Sequence, residues 1–183
     1  PVQVMRELAL ADDAPELAWV ANQLGMLAVV DDRHTEALVH FQEFEERSRR
    51  SHGDDYSNID VARVNRATAL VKLGRHAEAE PIFRDLIARR GWSSALEGLA
   101  DIHRAHGEID DAVTALRDAA RWNHEHGGEA DRCGNLMSIA ELEAGRARHE
   151  AAAAVLDEAT PICKVAGVAD AEARIGAVRA RMR

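Results

Sequence analysis

The chain has 183 residues, of which 46% are hydrophobic and 30% are charged, and its formal net charge is −9. This balance is typical of a folded protein rather than a disordered one, and the length suits a single domain. An acidic chain with dispersed arginines lacks the basic surface that counterion release from nucleic acids requires, so direct DNA or RNA binding is not expected. The longest apolar stretch, Leu24 to Val30, is far shorter than the roughly 18 residues of a membrane span, so no membrane partner is expected.

The composition favours helices over strands. The chain contains 35 alanines but only 4% aromatic residues, so good helix formers are common and good strand formers are rare. The expected fold class is all-α, in a single domain over residues 1–183. Apolar residues at helical spacing predict helices, in chain order, at 2–11, 14–30, 33–50, 57–73, 75–90, 92–106, 108–126, 129–144, 147–166 and 169–182. The last helix has Ile175, Val178 and Met182 on one face and is predicted to cap the preceding ones.

Turn residues divide the central helices into pairs. The turns are at Asp31-Asp32, Gly74, Gly107 and Gly145, and the intervals counted from Asp32 are 42, 33 and 38 residues. Such intervals are typical of arrays of helical hairpins. They predict four hairpins, at about 14–51, 57–90, 92–126 and 129–166.

An apolar pattern follows each turn. An alanine is followed by apolar residues four and seven positions later, which places all three on one face of the helix. The four sets are Ala37-Phe41-Phe44, Ala79-Phe83-Leu86, Ala112-Leu116-Ala119 and Ala152-Leu156-Ala159. Small residues allow two helix backbones to approach closely, and one stands seven positions before each turn. These small residues are Gly25, Ala67, Ala100 and Ser138.

These features resemble the tetratricopeptide repeat family, whose two-helix unit has a Leu-Gly or Leu-Ala pair in its first helix. The segment from His52-Gly53 through Asn65-Arg66-Ala67 and Leu73-Gly74 to Glu80 is similar to the longer repeat of kinesin light chains and of many bacterial regulators. The resemblance extends over about residues 14–166. It implies a right-handed superhelical solenoid of about four antiparallel hairpins, in which the first helix of each hairpin lines a concave groove.

The resemblance also indicates where a partner would bind. In kinesin-type repeats an asparagine just before the Leu-Ala pair faces the groove and holds the backbone of a bound peptide, and Asn65 occupies that position. Asn22 and Asn135 lie one residue further from the small residues of their own repeats. An asparagine amide both donates and accepts hydrogen bonds, so it matches an extended main chain without selecting a sequence. The alternative for each of the three is a side chain that is only solvated.

Arg66 stands where the family pattern has leucine, and Arg63 lies one turn earlier. A half-buried guanidinium needs a carboxylate partner or partial hydration. That partner is either Glu43, Glu45 or Glu46 of the first hairpin, or a carboxylate of the ligand. On the second alternative, Arg66 is a fourth candidate groove residue.

Other kinds of site find little support in the sequence. Chaperone-binding relatives hold a terminal carboxylate with basic residues and asparagines, but the comparable face of the third hairpin presents Glu97 and Asp101. The nine histidines, including His103 with His106, lack the paired cysteines of a structural zinc site. No triad, phosphate-binding loop or metalloprotease motif is present. We therefore expect no metal, no cofactor and no enzymatic activity.

Cys133 and Cys163 are expected to be separate buried thiols. They lie 12 residues before and 18 residues after Gly145. At about 1.5 Å per helical residue their heights along the hairpin would differ by about 9 Å, which is more than a disulfide spans. Two cysteines cannot form a disulfide framework, and no sequence at the start resembles a signal peptide, so the cytoplasm is the expected location.

The function expected is protein–protein interaction, with a peptide or helix of a partner bound in the concave groove. The resemblance to bacterial regulators suggests the sensor or regulatory part of a larger bacterial protein. The alternative is a structural homodimer that forms through an incompletely capped end or face, with Val2, Met5 and Leu8 as its apolar residues. Tryptophans such as Trp19 are expected in the core, and an exposed one would instead indicate a contact with a partner.

Overall fold

A computed structural model of the chain describes residues 15–53 and 57–182. Within these ranges it contains nine helices and no strand, which confirms the all-α prediction. Each helix begins and ends within two residues of its predicted position, whereas the helix predicted at 2–11 lies outside the described residues. The helices are α1 (Pro15–Val30), α2 (His34–His52), α3 (Ser57–Lys72), α4 (His76–Arg90), α5 (Ser93–His106), α6 (Ile109–Glu125), α7 (Glu129–Gly145), α8 (His149–Ala166) and α9 (Ala171–Arg181).

The chain divides into two compact units, an N-terminal unit (Pro1–Leu86) and a C-terminal unit (Ile87–Arg183). The first contains α1 to α3 and most of α4, and the second contains α5 to α9. No helix within the described ranges is both long and apolar enough to cross a membrane.

The core of the N-terminal unit contains phenylalanine rings. α1 packs against α2, which packs against α3, and the rings of Phe41, Phe44 and Phe83 are fully buried. Gly25 of α1 lies directly against Phe41, because a Cβ atom at Gly25 would be 2.5–3.0 Å from three atoms of that ring. The missing side chain at Gly25 therefore lets the Phe41 ring of α2 pack directly on α1.

The core of the C-terminal unit is built from aliphatic side chains and alanines, with no aromatic residue in its main cluster. α5 packs on α6, α6 on α7 and α7 on α8. α9 packs on both α7 and α8 and buries Ala171, Ile175 and Val178. The last helix therefore covers the α7–α8 pair, as its apolar face predicts.

The twelve residues of the four predicted alanine-apolar sets are all buried, at 8% exposure or less. They lie on α2, α4, α6 and α8, which are the second helices of the four predicted pairs. Their spacing of four and seven residues places each set on one helix face, and burial of that face is what stabilises such helices.

One turn differs from its predicted position. Gly74 and Gly107 have the left-handed backbone conformation that ends a helix, with φ of +71° and +79°, and Asp32 has φ of +56°. In the fourth pair the left-handed residue is Ala147, also at +56°, whereas Gly145 is the last residue of α7. The turn is therefore centred two residues later than the sequence suggested.

This shift explains why the cysteine prediction is wrong. Cys133 and Cys163 form a disulfide between α7 and α8, with their Cα atoms 5.1 Å apart. Measured from Ala147, the two cysteines lie 14 residues before and 16 residues after the turn, so their heights differ by only about 3 Å. When the turn is placed at Gly145, the two residues that follow it are wrongly counted as part of α8, and the predicted difference in height becomes too large.

Candidate functional site

An open groove of about 450 Å³ lies in the C-terminal unit, between α5 and α7. Leu116 of α6 and Arg174 of α9 complete its lining. Ala100, Ala130 and Gly134 have short or no side chains here, and a Cβ atom at Gly134 would meet no other atom within 4 Å. The small residues leave space for a ligand along the faces of α5 and α7.

Six charged residues line the groove, and four of them form two ion pairs. Arg104 donates to Asp101 at 2.8 Å, and Arg174 donates to Glu141 at 2.9 and 3.2 Å. The remaining two are Glu97 on α5 and Asp131 on α7. Among the described residues no cation lies within ion-pair distance of either one, so the groove carries two uncompensated negative charges.

Glu97 is held by a chain of two buried asparagines. Asn123 of α6 donates from Nδ2 to Oδ1 of Asn135 at 2.8 Å, and Asn135 donates from Nδ2 to Oε1 of Glu97 at 2.7 Å. Asn123 and Asn135 are 1% and 4% exposed. Because both ends of the Asn135 amide are engaged, its orientation is fixed, and it positions one carboxylate oxygen of Glu97.

The surroundings of Glu97 disfavour its charged form. Partial burial raises the pKa of its carboxyl above the usual value, because removal from water costs the ion more than the neutral acid. The hydrogen bond from Asn135 lowers that pKa, whereas the charges of Asp131 and Asp101 raise it further. Perturbed carboxyl groups of this kind are more frequent at functional sites than elsewhere.

The structure brings Asn22 and Asn65 together in the N-terminal unit. Asn65 donates from Nδ2 to Oδ1 of Asn22 at 3.1 Å, which links α3 to α1. Asn22 is buried and Asn65 is half-buried. The pair retains the amide of Asn22 as a donor and the carbonyl of Asn65 as an acceptor, and a role in ligand binding stays a prediction.

The two arginines of α3 have carboxylate partners within the unit. Arg66 lies 3.3 Å from Glu45, one of the three partners proposed for it, and Arg63 lies 2.7 Å from Asp85 of α4. Glu45 also accepts a hydrogen bond from Arg49 at 2.9 Å. Arg66 lines a second cavity of about 350 Å³, so part of its side chain can still reach a ligand.

Asn135 is the one predicted site residue that lies in the groove of the C-terminal unit, and its neighbours Asn123 and Asp131 were not predicted as site residues. A signal for Asp131 was present, because it stands four residues before Asn135 and thus on the same helix face. Glu97 and Asp101 have the same spacing on α5 and were read only as evidence against a carboxylate-binding site. Asn123 could not be found in this way, because it reaches the groove residues through a contact between different helices.

His103, Glu108 and Asp111 place one donor atom each within 4.8 Å of one another, near the turn between α5 and α6. His103 and Glu108 are hydrogen bonded to each other at 2.6 Å, and both acidic side chains are exposed. Exposed acidic groups of this kind are common without a metal ion, so this cluster alone does not indicate a metal centre.

One family model matches part of the chain. Residues 6–90 match the family model of the tetratricopeptide repeat, and no curated protein matches the chain. Tetratricopeptide repeats are generally protein–protein interaction modules and typically act as non-enzymatic scaffolds. The match therefore supports a tetratricopeptide repeat family for the N-terminal half of this protein.

Proposed function

We propose that this protein is an interaction module that binds a peptide or a helix of a protein partner in the groove of its C-terminal unit. The observation that carries the proposal is the groove itself, whose volume of about 450 Å³ falls within the range of roughly 300–1,000 Å³ found for ligand sites. It lies between α5 and α7, the first helices of the third and fourth predicted hairpins. The family resemblance implies a binding surface on these helices.

The proposal extends the repeat array beyond the matched residues 6–90. The pairs α5–α6 and α7–α8 carry the same buried alanine pattern as the N-terminal unit, and α9 caps the last pair. A right-handed superhelix of about four hairpins in one domain, with repeats of the kinesin-light-chain type, belongs to the same proposal. Its support is the spacing of the repeats in the sequence.

Asparagines are proposed to contribute in two ways. In the C-terminal unit Asn135 acts by positioning Glu97, since its Nδ2 donates to Glu97 while its Oδ1 is held by Asn123. In the N-terminal unit the free amide of Asn22 and the free carbonyl of Asn65 would bond to the main chain of an extended segment. Arg66 would offer its partly exposed guanidinium in a separate cavity, which it lines together with residues of α2 and α4.

A regulatory role in a larger bacterial protein rests on the resemblance to bacterial regulators alone. A cytoplasmic location belongs to the same proposal, and the disulfide between Cys133 and Cys163 counts against it. Disulfides are more common in oxidising compartments than in the cytoplasm.

A groove-filling variant tests the proposed binding surface. Gly134→Leu places a side chain in open space within the groove, and leucine favours a helix over glycine by roughly 0.5–1 kcal/mol, so the fold should persist. Gly176→Leu on α9 is the matched control, because Gly176 is exposed, also open and outside the groove lining. Partners captured from the native host by the unmodified chain should be retained by Gly176→Leu and lost with Gly134→Leu. If folded Gly134→Leu captured the same partners as the unmodified chain, the binding surface would have to lie outside this groove.

A second candidate function is homodimerisation through α1. Trp19 is 46% exposed, which contradicts its expected place in the core, and Met26, Leu27 and Val30 of the same helix are also exposed. Trp19, Met26 and Val30 share one helix face, since they are spaced by seven and four residues. Exposed apolar patches of this kind mark interaction surfaces, and a second copy of the chain is the proposed occupant.

Light scattering over a range of protein concentrations tests the dimer. Met26→Glu with Leu27→Glu should convert a dimer into a monomer, whereas Val165→Glu on α8, at an even more exposed apolar position, should not. A monomer at every concentration of the unmodified chain would exclude this candidate.

A further inference from the structure

The charges of the groove are arranged around two carboxylates, Glu97 and Asp131, that have no counter-ion in the part of the chain that the structure describes. Arg104 and Arg174 are each held by their own acidic partner, Asp101 and Glu141, and so do not neutralise Glu97. Asp131 lies at the exposed rim of the same groove, close enough to raise the pKa of Glu97. A ligand that entered this space would therefore meet a local excess of negative charge.

The geometry of Glu97 indicates a prepared acceptor rather than a charge placed by chance. One of its oxygens accepts the hydrogen bond from Asn135, and no described residue donates to the other. Asn135 is itself held by Asn123, so a buried network spanning α5, α6 and α7 fixes the direction of the carboxylate. An uncompensated, partly buried carboxylate destabilises the fold, and a cationic ligand would offset that cost.

On the basis of the proposed function, we propose that the groove selects a partner segment with a basic residue, whose arginine or lysine side chain lies between Glu97 and Asp131. The charged head would donate to the free oxygen of Glu97 and to the carboxylate of Asp131. Charge-assisted hydrogen bonds of this kind are about twice as strong as neutral ones, and the guanidinium of arginine can donate to two acceptors at once.

The lining of the groove also fits the remainder of such a side chain. Ala100 and Gly134 leave room for an extended aliphatic stem, and Leu116 offers an apolar surface for it. Long basic side chains commonly pack their methylene groups on apolar surface while the charged head stays at a polar site. An acidic segment would be repelled, and a neutral one would leave Glu97 desolvated without compensation.

A peptide display selection tests this specificity. A random library of twelve-residue peptides is selected on the full chain and depleted on the Gly134→Leu variant, so that only groove-dependent peptides remain. We expect these peptides to share an arginine or lysine at one aligned position. Replacement of that residue by glutamine should weaken binding at least about tenfold.

Protein variants locate the contact. Glu97→Gln keeps an oxygen acceptor for Asn135 but removes the charge, and Asp131→Asn does the same at the rim, so each should weaken binding at least about tenfold. Glu150→Gln is the control for overall charge, because Glu150 is exposed on α8 outside the groove lining, and it should bind as the unmodified chain does.

The outcomes separate the two proposals. The basic-residue specificity would be overturned if the groove-dependent peptides shared no basic residue. It would also be overturned if they bound Glu97→Gln as well as the unmodified chain. In both cases the groove would remain the binding surface. Equal losses with Glu97→Gln and Glu150→Gln would show a general attraction to an acidic protein and would also overturn the basic-residue specificity. A selection that yields no peptide sensitive to Gly134→Leu would count against the groove itself and hence against both proposals.

Discussion

The two units differ in how they accommodate polar groups between helices. In the N-terminal unit Arg66 lies against Glu45, Arg63 lies against Asp85, and Asn65 donates to Asn22. In the C-terminal unit the hydrogen bonds of Asn123 and Asn135 end at Glu97, which has no cation beside it among the described residues. Paired groups chiefly stabilise a fold, whereas an unpaired charge costs stability and can be offset by a ligand. Half-buried polar groups alone therefore do not identify a binding groove, whereas a charge that remains uncompensated is more informative.

The two units also differ in the side chains that fill their cores. The N-terminal unit packs phenylalanine rings against a glycine, with Gly25 in contact with Phe41. The C-terminal unit has a core of alanines and aliphatic residues, covalently linked between α7 and α8 by its disulfide. Small side chains bury less apolar surface per residue, so the covalent bond should contribute a larger share of stability there.

Removal of the disulfide should have the largest effect. The bond closes a loop with a sequence separation of 30 residues, for which chain entropy predicts roughly 3–4 kcal/mol of stability. The double variant Cys133→Ala with Cys163→Ala should lose about this much in urea unfolding. A reductant should destabilise the unmodified chain similarly and leave the double variant unchanged. Insensitivity of the unmodified chain to a reductant would show that the bond does not stabilise this unit.

Substitutions at two helical glycines test how closely the helices pack in each unit. Gly25→Ala in the N-terminal unit should destabilise the protein by about 1–3 kcal/mol, because the new methyl group overlaps the buried ring of Phe41. Gly134→Ala in the C-terminal unit is the matched change at an open position, and it should raise stability by about 0.5–1 kcal/mol. Thermal unfolding measures both effects, and stability changes of the same sign in the two variants would contradict this difference in packing.

The asparagine pair tests whether the polar network of the N-terminal unit is structural. Asn65→Ala should lower the free energy of unfolding by about 1 kcal/mol, because the buried carbonyl of Asn22 loses its donor. The double variant Asn22→Ala with Asn65→Ala is the control, because the bond between the two side chains can be lost only once and the two single effects should not add. Unchanged stability would contradict a structural role for this bond, and weaker partner binding by the same variant would support the proposed contact of Asn65 with a ligand.

The smallest effect concerns an exposed network in the C-terminal unit. Arg146 and Arg148 donate to Asp110 at 2.8–3.1 Å and lower its pKa to about 2. Because the folded pKa is below the unfolded value of about 3.9, this stabilisation is fully present above that value and is lost as the pH falls through about 2. The stability difference between the unmodified chain and Asp110→Asn should therefore shrink over this range in acid unfolding. Asp111→Asn is the control, and a difference that did not change with pH would contradict the assignment.

The helical class and the helix bounds could be predicted from the sequence because they depend on local properties. Alanine content, apolar spacing and left-handed turn residues act within a few positions of the chain, and burial of the twelve patterned residues followed from their spacing. The partner of Arg66 was predicted among three candidates because neighbouring helices bring few carboxylates within reach. Asn135 could be singled out as a polar residue on a first helix, although its role could not.

Contacts between helices, in contrast, were decided by the tertiary structure. The last turn lies at Ala147, two residues after the predicted position at Gly145. Each residue corresponds to about 1.5 Å along a helix axis, so this shift brings Cys133 and Cys163 to similar heights, where they form a disulfide. The network of Asn123, Asn135 and Glu97 joins three helices, and no local pattern specifies which side chains meet across them. Helical periodicity determines which residues share a face, whereas the charge left uncompensated in a groove depends on every helix that surrounds it.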